Sequence, residues 1–171
     1  IVVLVSGGKD STACLILALQ TGNKVIPIFN DTGWEHPLTY EYLKYLEKKL
    51  KIKIQVTKWK YDLPNLIRKI GKFPFGRGRF CTMYLKQYAT RDFYKKNIYK
   101  ENEEVEFWYG IRTNESTNRK HKYKGITSKD LFDMSDLYPN RYNKTLRKTI
   151  QVRLPIVESN ASDVFLFLKN N

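Results

Sequence analysis

The run Ser6-Gly7-Gly8-Lys9-Asp10-Ser11 brings two glycines, a cation, a carboxylate and two hydroxyls into six consecutive positions, a set suited to holding phosphate. Gly7 and Gly8 allow backbone angles and a close approach that side chains block. Lys9 adds a point charge, and the hydroxyls of Ser6 and Ser11 can donate to phosphoryl oxygens. If a helix starts here, its first N–H groups and the positive end of its dipole join the same small volume. Asp10 is the odd member, because a carboxylate beside phosphate is repulsive unless a cation lies between. Mg²⁺ resolves that conflict and makes Asp10 the candidate metal ligand. The spacing lacks the four-residue insert of a Walker A loop and is not the Gly-x-Gly-x-x-Gly dinucleotide turn.

Three further groups carry chemistry. Asp31, Thr32 and Gly33, followed by Glu35, can accept from and donate to a nucleoside, although a carboxylate after a strand equally serves as a turn former or helix cap. Arg79 and Lys86 can surround an anion, as can Arg112 and Arg119. Gly110 stands before Ile111 and Arg112, and Glu115 either belongs to the site or orders its loop by balancing Arg112 or Arg119. Cys81 beside Arg79 reads either as a charge-stabilised thiolate or as a half-buried thiol. His36 reads as a helix-entry residue and His121 sits among lysines, so no metal is assigned to histidine. Tyr84, Tyr88 and Tyr94 have spacings suited to packing and serve only secondarily as base-stacking platforms.

The elements that must position these groups follow from patterning. Ile1 to Val5 is a short, continuously apolar, β-branched run, as expected of a strand buried on both faces. A helix over Thr12 to Gln20 closes at Gly22. Val25 to Phe29 predicts a second strand, and Pro37 to Leu50 a helix with Leu38, Tyr42, Leu46 and Leu50 on one stripe. Ile52 to Val56 is a third strand, and Asp62-Leu63-Pro64 opens a short helix ending at Gly71. Lys72 to Arg79 reads as a loop, with basic residues from Arg77 to Lys86 able to fold over the site, and Thr82 to Lys96 as a helix. Val105 to Tyr109 is a strand, whereas Arg112 to Lys129 lacks periodicity and predicts a mobile loop. Ile150 to Leu154 is a last strand, and Val164 to Leu168 lies in a closing helix capped by Ser162.

Alternating strands and helices predict an α/β fold: an open, mainly parallel, twisted sheet of about five strands with helices on both faces. Ligands of such sheets sit beyond the carboxyl ends of the strands. The loops after the first, second and fourth strands therefore bring Ser6–Ser11, Asp31–Glu35 and Arg112–Arg119 to one rim.

At 171 residues the expectation is a single domain over 1–171, one that begins at Ile1 without its native N-terminus and leaves room for a C-terminal tail. Lys and Arg number 31 against 17 Asp and Glu, a net charge of +14 that points to an anionic partner without choosing among nucleotide, nucleic acid and other anions. Two distant cysteines, Cys14 and Cys81, build neither a disulfide framework nor a four-thiolate metal site. With no apolar run long enough to span a bilayer and no signal peptide, the chain is expected to be cytoplasmic, with no membrane partner.

Taken in order, Ser6 to Ser11, Asp31-Thr32-Gly33-Trp34-Glu35-His36-Pro37, Arg79-Phe80-Cys81-Thr82 with Leu85-Lys86, Gly110-Ile111-Arg112 with Glu115-Ser116 and Arg119, and Pro155-Ile156 with Ser162-Asp163-Val164 resemble the phosphoadenosine phosphosulfate (PAPS) reductase family. That family lies within the PP-loop superfamily of ATP pyrophosphatases and adenine nucleotide α-hydrolases. The resemblance implies ATP or PAPS as ligand with Mg²⁺, and catalytic roles for Lys9, Asp10, Arg79 and Arg112. It also implies nucleotide contacts from Ser6, Gly7, Gly8, Ser11, Asp31, Thr32, Gly33, Lys86, Gly110, Glu115 and Arg119. An intact Gly-Lys-Asp-Ser is similar to the ATP-splitting relatives, which release pyrophosphate in sulfur metabolism or nucleic-acid modification, and implies an anionic substrate with nucleic acid or a sulfur-donor protein as further partners. The alternative is a PAPS or adenylylsulfate reductase, or a sulfotransferase, whose nucleophilic cysteine lies in a C-terminal tail beyond Asn171. Cluster-bearing relatives place two cysteines side by side and a Cys-x-x-Cys later; here Thr82 follows Cys81 and no later pair exists, so no iron–sulfur cluster is expected. A non-catalytic nucleotide- or nucleic-acid-binding module is the third reading.

Overall fold

The computed structural model describes residues 1–75, 79–99, 103–134 and 149–171. Six strands form one sheet: β1 (Val2–Val5), β2 (Ile26–Asn30), β3 (Gln55–Thr57), β4 (Val105–Trp108), β5 (Phe132–Asp133) and β6 (Ile150–Arg153), in the order β3-β2-β1-β4-β6-β5. All neighbours run parallel except β5, which pairs antiparallel with β6. The sheet thus has one strand more than the sequence predicts. A strand of two residues has no period to detect, and β5 exists because Phe132 and Asp133 find Val152 and Gln151 as partners.

The central strand β1 is buried on both sides, as its unbroken apolar run requires. Val2 packs into one core with Ile28, Tyr94, Phe107 and Met134, while Val3 and Val5 pack into the other with Cys14, Leu15, Phe29, Leu43 and Leu46. Helices α1 (Lys9–Gln20) and α2 (Pro37–Leu50) supply the second of these layers. In α2, Tyr42, Leu46 and Leu50 of the expected stripe pack on the core, joined by buried Leu43, whereas Leu38 is exposed and leaves the stripe. Leu38 lies in the first turn of α2. Helix α3 (Leu63–Ile70) is capped by Asp62 and closed by Gly71 in the left-handed region, as the turn chemistry predicts.

The predicted helix over Thr82 to Lys96 is two pieces: a π-helix over Thr82–Tyr88 running into α4 (Ala89–Asn97). Residues Arg79 and Cys81 precede it directly, so the part of the expected Arg77–Lys86 loop that falls on described residues is mostly helical; Arg77 lies outside them. The segment Arg112–Lys129 is likewise not a mobile loop throughout. A 3₁₀ turn over Thr113–Glu115 leads into α5 (Thr117–Lys122), whose Ser116 side chain accepts from the Arg119 N–H. A helix of six residues held by a cap has too little apolar periodicity to be read from sequence. The closing helix α6 (Ala161–Asn170) is capped by Asn160 rather than Ser162. The Asn160 side chain accepts from Asp163 N at 3.0 Å, and the Asp163 carboxylate accepts from Asn160 N at 2.7 Å.

Candidate active site

Strand β1 leads to β2 on one side, while β4 joins β1 on the other, so the chain reverses its direction of progress across the sheet between β1 and β4. Loops leaving these two strands diverge above that gap, which is where open α/β sheets bind ligands. The Ser6–Ser11 turn fills it. Gly7 adopts φ +77°, and Gly8 is the extended N-cap residue of α1 with no side chain capping the helix. The amides at the start of α1 therefore carry no side-chain cap, with the helix dipole behind them. Ser11 Oγ donates to Gly8 O at 2.9 Å and accepts from Ser6 N at 3.0 Å, which holds the turn in shape.

Gly110, just beyond β4, presses against this turn. A Cβ placed there would meet Asp10 O at 2.6 Å and Ser11 N at 2.8 Å. Backbone is the obstacle, so nothing flexible can yield. Gly110→Ala is expected to destabilise the domain by about 1–3 kcal/mol, the usual cost of overpacking, and to displace the start of α1. Thermal melting together with nucleotide titration checks this: a variant with unchanged melting and binding would contradict the close approach.

That approach carries Arg112 to Asp10. Arg112 is 5% exposed, and its Nε and Nη2 donate to Asp10 Oδ1 at 2.8 Å and Oδ2 at 3.3 Å, while Nη1 donates to Asn114. Lys9 Nζ reaches the same Oδ2 at 3.0 Å and lies 5.8 Å from the Phe165 ring of α6. Lys9, Asp10, Gly110 and Arg112, separated by a hundred positions in sequence, thus form one cluster. Glu115 and Arg119 do not join it; they pair with each other on the surface. Arg79 is exposed and its carbonyl accepts from Thr82 N at 3.1 Å.

After β2, Asp31 is buried and accepts from Tyr40 Oη at 2.8 Å, Gly33 N at 2.9 Å and Lys58 Nζ at 2.9 Å. Burial pushes its carboxyl upward, but Lys58, the Gly33 amide and Tyr40 together hold it below the usual carboxylate range. The Tyr40 hydroxyl, donating to that carboxylate, is pushed up to about 12. A depressed carboxylate contributes stability that is present above its unfolded pKa and lost as pH falls through its folded value. Tyr40→Phe is therefore expected to cost about 1 kcal/mol at neutral pH, with the gap to the parent closing under acid as Asp31 protonates. Melting temperatures of both proteins from pH 7 down to about pH 2, past the ordinary aspartate value near 3.9, test it; a gap independent of pH would refute it. Thr32 Oγ1 donates to Glu35 Oε1 at 2.7 Å, and Gly33, at φ +71°, lies where a Cβ would strike Asp62 at 2.6 Å. This loop is thereby locked against the start of α3.

Between these loops is a cavity of about 180 Å³. Its floor is Leu4, Val5 and Phe29, and polar groups converge on it from Ser6, Asn30, Glu35, Thr82, Lys86, Gln87 and Thr90. Lys86 and Ser6 line it together. Asn30 Oδ1 is held by Thr57 Oγ1 at 2.6 Å and Thr90 Oγ1 at 2.9 Å. Gln87 Oε1 is buried with no hydrogen-bond partner among the described residues, a costly arrangement that a ligand donor would relieve. The i to i+5 winding of the π-helix puts Thr82 and Gln87 on the same side. Neither Asn30, Gln87 nor Thr90 stood out in the sequence: single amides and hydroxyls carry no motif, and only the unexpected winding turns Gln87 inward. Cys81 packs half-buried on the Leu66–Phe80–Leu85 cluster, and burial pushes the Cys14 thiol well up.

The fold is an open α/β sheet whose rim lies where such sheets bind ligands. The whole chain, residues 1–171, matches the phosphoadenosine phosphosulfate reductase domain, and the protein belongs to that family, within the PP-loop superfamily. It is 31% identical over 163 aligned residues to an uncharacterized 37.8 kDa protein of Escherichia phage 186, covering 69% of this chain and 49% of that protein. It is 39% identical over 62 residues to the 7-cyano-7-deazaguanine synthase of Leptospira interrogans, covering 36% of this chain and 26% of the synthase. The chain therefore spans half or less of these relatives' length. The fold is shared with the crystal structure of a PAPS reductase from Candida auris in its phosphate complex, at TM-score 0.62 and 15% identity, over 98% of this chain and 70% of that one. No helix among the described residues is long and apolar enough to cross a membrane.

Proposed function

We propose that residues 1–171 act as one adenine-nucleotide enzyme domain that binds ATP and transfers its adenylyl group, releasing pyrophosphate. The observation that carries this reading is the uncapped start of α1, with Lys9 beside it, opening onto a cavity whose one buried unpartnered acceptor is Gln87 Oε1 among the described residues. The triphosphate lies along Ser6–Ser11. The base enters the cavity over Val5 and Phe29, where an exocyclic amino group satisfies Gln87. An acceptor lone pair attacks the α-phosphorus, the bond from that phosphorus to its bridging oxygen breaks, and pyrophosphate leaves with the electron pair while the acceptor proton passes to solvent. Lys9 and the α1 amides hold the charge that builds on the leaving group, and Arg112 fixes the turn through Asp10. Sulfur metabolism and nucleic-acid modification both offer acceptors of this kind.

A Mg²⁺ ion that arrives with the nucleotide would find one carboxylate here, Asp10, whose Oδ2 is taken by Arg112 and Lys9 and whose Oδ1 accepts from Arg112 with a lone pair to spare. No cluster of three or more ligating side chains exists among the described residues, whereas Mg²⁺ on a triphosphate keeps several waters and asks for one or two carboxylates. Asp10 would hold it, and the ion would neutralise triphosphate charge.

A reductase route would draw its cysteine from a segment beyond Asn171, since neither Cys14 nor Cys81 lines the cavity. The deciding experiment supplies ATP with Mg²⁺ in one assay and PAPS with a thiol donor in another. Pyrophosphate from ATP supports the reading; sulfite from PAPS with no pyrophosphate from ATP overturns it.

A further inference from the structure

On the outer side of the π-helix, away from the nucleotide cavity, aromatic rings and lysines interleave. Trp59 packs 6.1 Å from Tyr84 and 5.6 Å from Tyr88, measured between ring centroids, and those two tyrosines meet edge to face at 5.5 Å. Lys60 Nζ lies 5.9 Å from the Trp59 centroid and 5.5 Å from that of Tyr61. Lys69 Nζ sits 4.7 Å over Tyr61 and donates to its hydroxyl at 3.0 Å, and the Arg91 guanidinium lies 4.5 Å over Tyr88. Trp59, Lys60, Tyr61, Lys69, Ile70 and Tyr84 line a second hollow. Three and five residues beyond Ile70, Phe73 and Phe75 are 71% and 90% exposed.

Core packing explains only the inner part of this surface, where Trp59, Tyr61 and Tyr84 border the Leu66–Phe80–Leu85 cluster. It does not explain why a half-exposed aromatic row is edged with cations. From Lys58 to Lys72 the chain carries five of them (Lys58, Lys60, Arg68, Lys69 and Lys72) against one carboxylate, Asp62, which is spent on capping α3. Lys58 is engaged with Asp31 and Arg91 with Asp92, so the charge open to a ligand centres on Lys60 and Lys69. The Lys69 hydrogen bond and charge hold the Tyr61 hydroxyl below its usual range, a sign of local positive potential. A polyanion that also presents flat faces satisfies both halves of this surface: phosphates meet the lysines and bases stack on the rings. An acidic peptide would use the charge and leave the rings uncovered, and duplex nucleic acid keeps its bases stacked within the helix.

We propose that this shelf docks single-stranded nucleic acid, with one or more unpaired bases against Trp59, Tyr61 and Tyr84 and the backbone along Lys60 and Lys69. The shelf shares no residue with the Lys9 cluster or the first cavity, so the docking does not depend on which reaction occurs there.

Fluorescence anisotropy with a labelled twelve-nucleotide thymidine strand tests it, with the matching duplex and inorganic polyphosphate of equal charge as competitors. The single strand is expected to bind at least about fivefold more tightly than polyphosphate, the low end for one stacked base. The Lys60→Glu/Lys69→Glu double variant should weaken it at least about tenfold and lower the salt slope by about 1.4, the value for two phosphate contacts on a single strand. Tyr61→Leu should weaken binding with the slope kept. Both variants should melt like the parent and bind ATP like the parent. Equal affinity for polyphosphate, preference for the duplex, or less than about a twofold change in both variants overturns the proposal.

Discussion

Lys9→Ala is expected to lower pyrophosphate release from ATP by about 100-fold or more, the usual loss when one preorganised charge donor at a developing anion is removed. Lys9 has no buried role that would complicate the result. Its side chain is 29% exposed and its strongest contact is the Asp10 carboxylate at 3.0 Å, which Arg112 also holds. Melting should therefore stay within about 0.5 kcal/mol of the parent, as for most surface changes, and loss of turnover in a folded protein identifies a chemical role. Lys9→Arg keeps the charge but spreads it over a planar fork that does not match a single phosphoryl oxygen at a tight turn, so it should recover binding better than turnover. Turnover of Lys9→Ala within about threefold of the parent would remove Lys9 from the reaction.

Arg112→Met gives the largest expected loss of stability. Removing the guanidinium strands Asp10, whose side chain is only 17% exposed, with Lys9 as its one remaining cation among the described residues. Breaking a buried pair from one side costs roughly 3 kcal/mol, a melting decrease of about 6–12 °C for a domain of this size. Adding Asp10→Asn removes the stranded charge, so the double variant should recover much of the lost stability. It should not recover activity, because the turn loses the fork that ties it to the β4 exit. Calorimetry on the two single variants and the double variant completes the cycle. Additive losses would show that the pair is not coupled.

The neighbourhood of Lys9 was legible because local chemistry encodes it. A buried β-branched run, two glycines and a cation at the head of a helix can do little else, and the structure places them as a strand, a left-handed glycine turn and the start of α1. The helix from Pro37 to Leu50 and the Asp62 and Gly71 stops of α3 were legible for the same reason: caps act over three or four residues. The cap of α6 is Asn160 and not the expected Ser162, since Asn, Ser and Asp all offer caps and only the reciprocal bond with Asp163 chooses. The segment after Arg112 read as a loop because a six-residue helix and a 3₁₀ turn are too short to show a period.

By itself the sequence determined the parallel α/β class, the glycine turn at the head of α1, the basic character and the family, all of which rest on residues close together in the chain or on the order of motifs. Tertiary structure decided what those residues do to each other. It gave Asp10 to Arg112 through the backbone contact at Gly110, set Asp31 to holding its own loop with Tyr40 and Lys58, and paired Glu115 with Arg119 away from the cluster. It also turned Gln87 into the cavity and set Trp59 against Tyr84 and Tyr88. These outcomes depend on strand order and on the winding of one helix, and neither is written in any local pattern, because a side chain's partner across the sheet is fixed only when the whole core has packed.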